Sequence, residues 1–211
     1  MKIVIISGGK APSEQLLRKE IKNSNFIICA DSGANCLYEY RICPDLLLGD
    51  FDSINEDVLK DFKKGKCKII QHPTQKDFTD SESALNEAIR LKPNEIVLLG
   101  FTGTRIDHML GNLGLLIKCL KLDIKAYIKD EHNIITLVNK GVKLQAECGT
   151  IVSFQAYSDI VENLSIKGAK YPLCNYDLRL GDSLTVSNEF LHNEISVDFS
   201  SGNLLIILAK D

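Results

Sequence analysis

The stretch Leu46-Leu47-Leu48-Gly49-Asp50-Phe51-Asp52-Ser53-Ile54 decides how the first part of this chain is read. An apolar run stops at Gly49, and two carboxylates follow two positions apart. In an extended segment, residues i and i+2 point to the same side. That reading brings Asp50 and Asp52 to one small volume just past a buried strand, where hard anionic oxygens suit Mg²⁺ and the phosphates that usually accompany it. The competing reading is a strand followed by a polar turn, with Asp52 or Ser53 capping a helix that starts near Asn55. The motif alone does not choose between them.

Upstream, Lys2 to Ile6 reads as a strand closed by Ser7-Gly8-Gly9, followed by a helix from Ser13 to Lys22. Phe26 to Ala30 is a second strand, ended by Asp31-Ser32-Gly33-Ala34 and followed by a helix to about Tyr40. Asp45 to Leu48 is the third strand. Downstream come a helix from Asn55 to Lys63 and a fourth strand from Cys67 to Gln71. Thr79 with Glu82 fits a capping box, and Ala84, Leu85, Ala88 and Leu91 give the following helix its stripe. Glu95 to Gly100 is a fifth strand. The helix Asp107 to Leu120 places Leu110, Leu113, Ile117 and Leu120 on one face, and Ile124 to Lys129 is a sixth strand. This alternation predicts an α/β domain over residues 1–130 with a mainly parallel, Rossmann-like sheet.

After Asp130 helical periodicity disappears. Short β-type runs recur at Ile134 to Val138, Val142 to Leu144, Thr150 to Ala156, Asn163 to Ile166, Ser183 to Val186, Glu194 to Phe199 and Leu204 to Leu208. Ile195, Val197 and Phe199 alternate with Ser196, Asp198 and Ser200, as in a half-buried strand. Residues 131–211 are therefore expected to form an all-β sandwich.

The totals exclude several function classes. The chain has 211 residues, 25% of them charged, with a net charge of −3. No basic excess exists to neutralise a nucleic-acid backbone or an anionic membrane. The apolar run in MKIVIISGGK is too short for a signal peptide, and no segment approaches membrane-spanning length. The 7 cysteines lack Cys-x-x-Cys spacing, which argues against zinc and for free thiols in a reducing cytoplasm.

Five polar clusters each follow a predicted strand: Ser7 to Gly9, Asp31 to Gly33, Gly49 to Asp52, His72 to Asp80, and Gly100 to His108. In open α/β sheets ligands bind outside those strand ends, which favours a phosphate-and-metal site over five unrelated turns. Asp77 and Asp80 add carboxylates at a helix amino terminus, where an anion also complements the helix dipole. Lys76 is a candidate phosphate contact, or else a solvated lysine. Arg105 suits a bidentate grip on phosphate, and the helix after it offers free N–H groups. Asp107 is equally read as that helix's cap, and His108 alone as a surface histidine. There is no Walker-type or Gly-x-Gly-x-x-Gly loop, and no local signature of a nucleophilic triad.

These blocks resemble the thiamine pyrophosphokinase family. The match runs collinearly through Asp31/Gly33/Ala34, Gly49 to Ser53, Lys76/Asp77/Thr79/Asp80 and Gly100 to His108, then a β domain with Val-Ser-Asn-Glu-Phe at 186–190. One departure is Thr104, where the family usually has a second Gly before the Arg. The resemblance implies transfer of a pyrophosphoryl group from the co-substrate ATP to thiamine, giving thiamine diphosphate and AMP. It implies Mg²⁺ held by Asp50, Asp52 and Asp80, which would be the catalytic set. Asp31, Gln75, Lys76 and Asp77 would line the triphosphate path, and Arg105, Asp107 and His108 the nucleotide side. Tyr171, Ser187 and Asn188 would meet thiamine. It further implies a cytoplasmic homodimer, with the site between residues 1–130 of one subunit and the β domain of the other. A Mg²⁺-dependent nucleotide pyrophosphohydrolase and a non-catalytic nucleotide- or thiamine-binding module are the rival readings.

Overall fold

A computed structural model of the chain describes residues 1–73 and 77–210. They form two compact units, Met1–Glu131 and His132–Asp211.

Unit 1 interleaves β1 (Lys2–Ile6), α1 (Glu14–Ile21), β2 (Phe26–Ala30), α2 (Gly33–Glu39), β3 (Leu46–Gly49), α3 (Glu56–Lys64), β4 (Lys68–Gln71), α4 (Asp80–Arg90), β5 (Glu95–Leu99), α5 (Ile106–Lys121) and β6 (Lys125–Lys129). The strands lie in the order β6-β5-β1-β2-β3-β4, paired in parallel. Parallel strands are covered on both faces and read as unbroken apolar runs. β3 is buried along its whole length, and β1 from Ile3 onward. β4 is least buried, with Lys68 and Gln71 exposed, which blunts a sheet edge against association. Because the strands run the same way, the loops after β1 to β5 all gather at one edge.

α1 is tied to β1 and β6 by charge. Glu20 is buried, and its two carboxylate oxygens accept from Lys2 Nζ and Lys129 Nζ, each at 2.8 Å. α4 starts where expected. Thr79 accepts from the Glu82 backbone N–H at 3.2 Å, while the Glu82 carboxylate takes Lys118 at 3.3 Å. Thr79→Ala is expected to cost about 1 kcal/mol, read as a small drop in the thermal midpoint of unit 1.

α5 departs from expectation. Its buried residues are Leu115, Leu116 and Cys119, whereas Leu110 is 60% exposed and Ile106 73%. Leu113, Ile117 and Leu120 are half-buried. Apolar residues fill nearly every position from 113 to 120, so the pattern carries two candidate faces, and periodicity does not say which one the sheet covers.

Unit 2 contains β7 (Asn133–Val138), β8 (Val142–Gln145), β9 (Ile151–Ala156), β10 (Ile160–Lys167), β11 (Leu173–Arg179), β12 (Asn188–Glu189), β13 (Glu194–Asp198) and β14 (Leu204–Ala209). Two antiparallel groups form, β12-β9-β14-β7 and β11-β10-β13-β8. Val152, Phe154 and Ile206 from the first share one core with Val161, Ile166 and Val197 from the second. Strand pairing across the chain is thus mixed, parallel in the α/β unit and antiparallel in the β-rich one.

One expectation here fails, and one long strand was absent from the expected set. β11 was not legible, because its pairing with β10 is broken by register shifts, and Asn163 and Asn175 take left-handed φ of 55° and 49°. Such bulges destroy the alternation by which strands are recognised. Ser183 to Val186 is a turn rather than a strand, closed by Val186 N–H to Ser183 O at 3.1 Å. All 7 cysteines are free. Burial pushes the Cys119 thiol up to about 12, which keeps it unreactive.

Candidate active site

The loops at the sheet edge are stitched by backbone. Ser7 N–H donates to Leu99 O, Gly9 N–H to Gly100 O, and Asp31 N–H to Leu48 O, each at 2.8 Å. Contact is close enough to exclude side chains. Gly100 has φ of 72°, and a Cβ there would sit 2.2 Å from Ser7 O. A cleft of about 1060 Å³ opens beside this floor, lined in part by Gly8, Gly9, Ser32, Asn35 and Tyr38.

The carboxylates meet at the ends of β2 and β3. Oxygens of Asp31, Asp50 and Asp52 lie within 4.8 Å of one another. The route to that arrangement differs from simple strand alternation. The strand ends at Gly49, and Phe51 turns through a left-handed φ of 68° with its ring buried. The Asp52 N–H then donates to Asp50 Oδ1 at 3.2 Å, and Ser53 Oγ donates to Asp52 Oδ1 at 2.7 Å. Asp31 is itself left-handed, with φ of 47°, a region in which Asp is better tolerated than most residues.

Asp31 Oδ1 is buried and, among the described residues, makes no hydrogen bond. Burial raises the Asp31 carboxyl above its usual range, and the charges of Asp80, Asp50 and Asp52 raise it further. Asp80 is therefore close enough to be felt electrostatically, although it lies outside the three-carboxylate set. An orphaned buried oxygen among clustered carboxylates is what a hard divalent cation would satisfy, so the donor set fits Mg²⁺.

Several supporting contacts carried no signal in the sequence. Asn35, on α2, accepts from the Asn55 N–H at 3.1 Å and donates to Ser53 O at 3.3 Å, holding the far side of the Asp loop. Asn55 precedes α3, and neither Asp52 nor Ser53 caps that helix. Ser7 and Ser81 hydroxyls bond at 2.8 Å, fixing the start of α4 next to Asp80. His72 Nε2 bonds Ser83 Oγ at 2.9 Å. Nothing in their spacing marks these pairs, because they join positions far apart in the chain.

Arg105 precedes α5, and its guanidinium holds Asp107 through contacts of 2.5 and 3.2 Å. That partner keeps the Asp107 carboxyl down at about 2. Asp107, His108 and Asp77 are exposed. Gln75 and Lys76 lie outside the described residues. In unit 2, Tyr171 and Ser187 are exposed and Asn188 is buried.

The two units correspond to two sequence models. The one for the thiamin pyrophosphokinase catalytic domain matches residues 17–128, and the one for the thiamin pyrophosphokinase vitamin B1 binding domain matches 136–204. The thiamine pyrophosphokinase of Bacillus subtilis is 35% identical over 186 residues, 87% of this chain and 87% of the relative. A Bacillus subtilis thiamine pyrophosphokinase crystal structure superposes with a TM-score of 0.91 at 32% identity, covering 100% of both chains. That of Candida albicans, at 18% identity, shares the fold with a TM-score of 0.85 over 99% of this chain and 90% of its own. With both domains matched in order, and a close relative spanning most of its length, the chain belongs to the thiamin pyrophosphokinase family.

Proposed function

We infer that this protein transfers the pyrophosphoryl group of ATP to the hydroxyl of thiamine, giving thiamine diphosphate and AMP. The observation that carries the reading is the Asp31/Asp50/Asp52 cluster with its orphaned oxygen, in a chain that matches both family domains. The thiamine hydroxyl oxygen attacks the β-phosphorus, the bond from that phosphorus to the α–β bridging oxygen breaks, and AMP leaves. Asp50, Asp52 and Asp80, with Asp31 beside them, would hold Mg²⁺. The ion, when bound, supplies charge neutralisation on the phosphates. Asp52 or Asp80 is the acceptor for the hydroxyl proton. Arg105 exchanges its Asp107 partner for phosphate oxygens, and the first turn of α5 adds N–H donors. Gln75, Lys76 and Asp77 complete the triphosphate path, and His108 the nucleotide side. Tyr171 packs on the thiamine rings beside Ser187.

Unit 1 is read as a Rossmann-like sheet, with the order reversal beside β1 supporting a ligand at its carboxyl edge. We read the protein as a homodimer of the cytoplasm. The apolar stripe of Ile106 and Leu110 on α5 supports the dimer, and free thiols support the compartment. Among the described residues no helix is long and apolar enough to cross a membrane. The decisive assay follows AMP release with MgATP and thiamine, each omitted in turn. AMP is expected only when both are present; equal release without thiamine would replace this reading with a pyrophosphohydrolase.

A further inference from the structure

The segment Ala169 to Tyr171 runs antiparallel to Asn188 to Phe190. Ala169 bridges Phe190, and Lys170 N–H donates to Glu189 O at 2.9 Å. One step further along, this ladder loses its main-chain partner. The Asn188 side-chain amide takes that place: its Oδ1 accepts from Tyr171 N–H at 3.0 Å, and its Nδ2 donates to Tyr171 O at 2.8 Å. The same Oδ1 also accepts from Glu189 N–H at 2.9 Å. A primary amide is the side chain that presents a donor and an acceptor with peptide-like geometry, so it can bond both backbone groups of one residue.

Asn188 is set rigidly for this task. It is 3% exposed. Its own backbone pairs with Val152 of β9. The preceding Ser187 takes a left-handed φ of 57° and donates its N–H to Ser153 Oγ at 3.0 Å. Both acceptor directions of Oδ1 are filled, and one of the two Nδ2 protons is engaged. Little of the amide remains to meet a ligand.

Tyr171, by contrast, is 60% exposed. The Lys170 ammonium lies 5.9 Å from its ring centroid and is anchored by Glu189 Oε2 at 2.8 Å. The ring thus stands on a backbone clamped by Asn188, with a tethered cation by the ring. Packing of a flat cationic substrate on an aromatic ring depends on where the ring is held, because the attraction weakens quickly with offset and tilt.

We propose that Asn188 is a positioning residue for thiamine: its amide stands in for a peptide group, fixes the backbone of Tyr171, and so aims the exposed ring at the substrate without binding the substrate itself. This rests on the reading that Tyr171 packs on the thiamine rings.

The test is a double-mutant cycle on the full-length enzyme, with KM for thiamine, KM for MgATP and kcat measured for Asn188→Ala, Tyr171→Ala and the double variant. Asn188→Ala is expected to raise KM for thiamine about tenfold, changing kcat and KM for MgATP much less. In the Tyr171→Ala background the same substitution should change KM for thiamine by less than about twofold. Asn188→Asp, which keeps the acceptor but turns a carboxylate oxygen toward Tyr171 O, serves as the second variant if the alanine form folds poorly. It should show the same dependence on Tyr171. Equal factors in both backgrounds would mean that Asn188 acts on thiamine by itself, and the proposal falls while Tyr171 keeps its role. An unchanged KM for thiamine in Tyr171→Ala would overturn the role of Tyr171 and the proposal with it.

Discussion

Replacing Asp52 with asparagine is expected to lower turnover on the order of a hundredfold or more, with no loss of thermal stability in metal-free protein. Asparagine keeps the shape of the side chain and an oxygen for the Ser53 hydroxyl, which bonds Asp52 at 2.7 Å. It removes one negative charge from a cluster whose oxygens lie within 4.8 Å of one another. In metal-free protein the members of that cluster repel one another: the Asp31 carboxyl is raised first by burial and then further by the charges of Asp80, Asp50 and Asp52. Neutralising one member relieves the repulsion, so the midpoint should stay level or rise. Added Mg²⁺ stabilises a folded state that binds it, and this midpoint increase should shrink in the variant. Steady-state AMP formation and melting curves with and without Mg²⁺ read both effects. Near-normal turnover would overturn the proposed metal-holding role of Asp52; a lower metal-free midpoint would mean that its charge is structural.

Glu20→Ala should destabilise unit 1 by about 3 kcal/mol although the residue lies away from the site. The side chain of Glu20 is 6% exposed, and those of Lys2 and Lys129 are 20% and 19% exposed. Removing the carboxylate leaves two poorly hydrated ammonium groups without their shared partner, and a pair broken on one side loses more than the intact pair contributes. The midpoint should fall by roughly 10 °C. Burial pushes the Glu20 carboxyl up, but the hydrogen bonds and charges of Lys129 and Lys2 outweigh it, and the net position is below the usual value. A depressed folded-state value means that the stabilisation is fully present above the unfolded value of about 4.3 and is lost as pH falls further. The gap between wild type and variant should therefore be constant at neutral pH and narrow below about pH 4. A gap that widened on acidification would show the sign to be wrong. No difference at pH 7 would show that the two lysines reach water freely once released.

The polar loops at the strand ends were legible because they are local. Strand-ending loops carry their Asp, Gly and Arg within a few residues, and the parallel pairing of β1 to β5 brings those loops to one edge. Other features resisted reading. The apolar surplus on α5 gave two possible faces. The bulged β10–β11 pair erased its own period, and Ser183 to Val186 imitated a strand. Asn188 illustrates the difference most directly: its type and place were evident, but only its two hydrogen bonds to the Tyr171 backbone show that it grips that residue.

The sequence by itself determined the alternation of elements, the division into an α/β part and a β part, and the carboxylate-bearing loops, because each depends on residue type and short-range periodicity. Tertiary structure decided which carboxylates converge. Asp31 joins Asp50 and Asp52 because β2 and β3 pair in parallel, and because Phe51 buries its ring on a left-handed backbone that turns both neighbours to one point. Asp80 stands just outside that set, on a helix start held by the Ser7–Ser81 bond. These are contacts between residues distant in the chain, and they arise from packing and pairing across the sheet rather than from spacing along it.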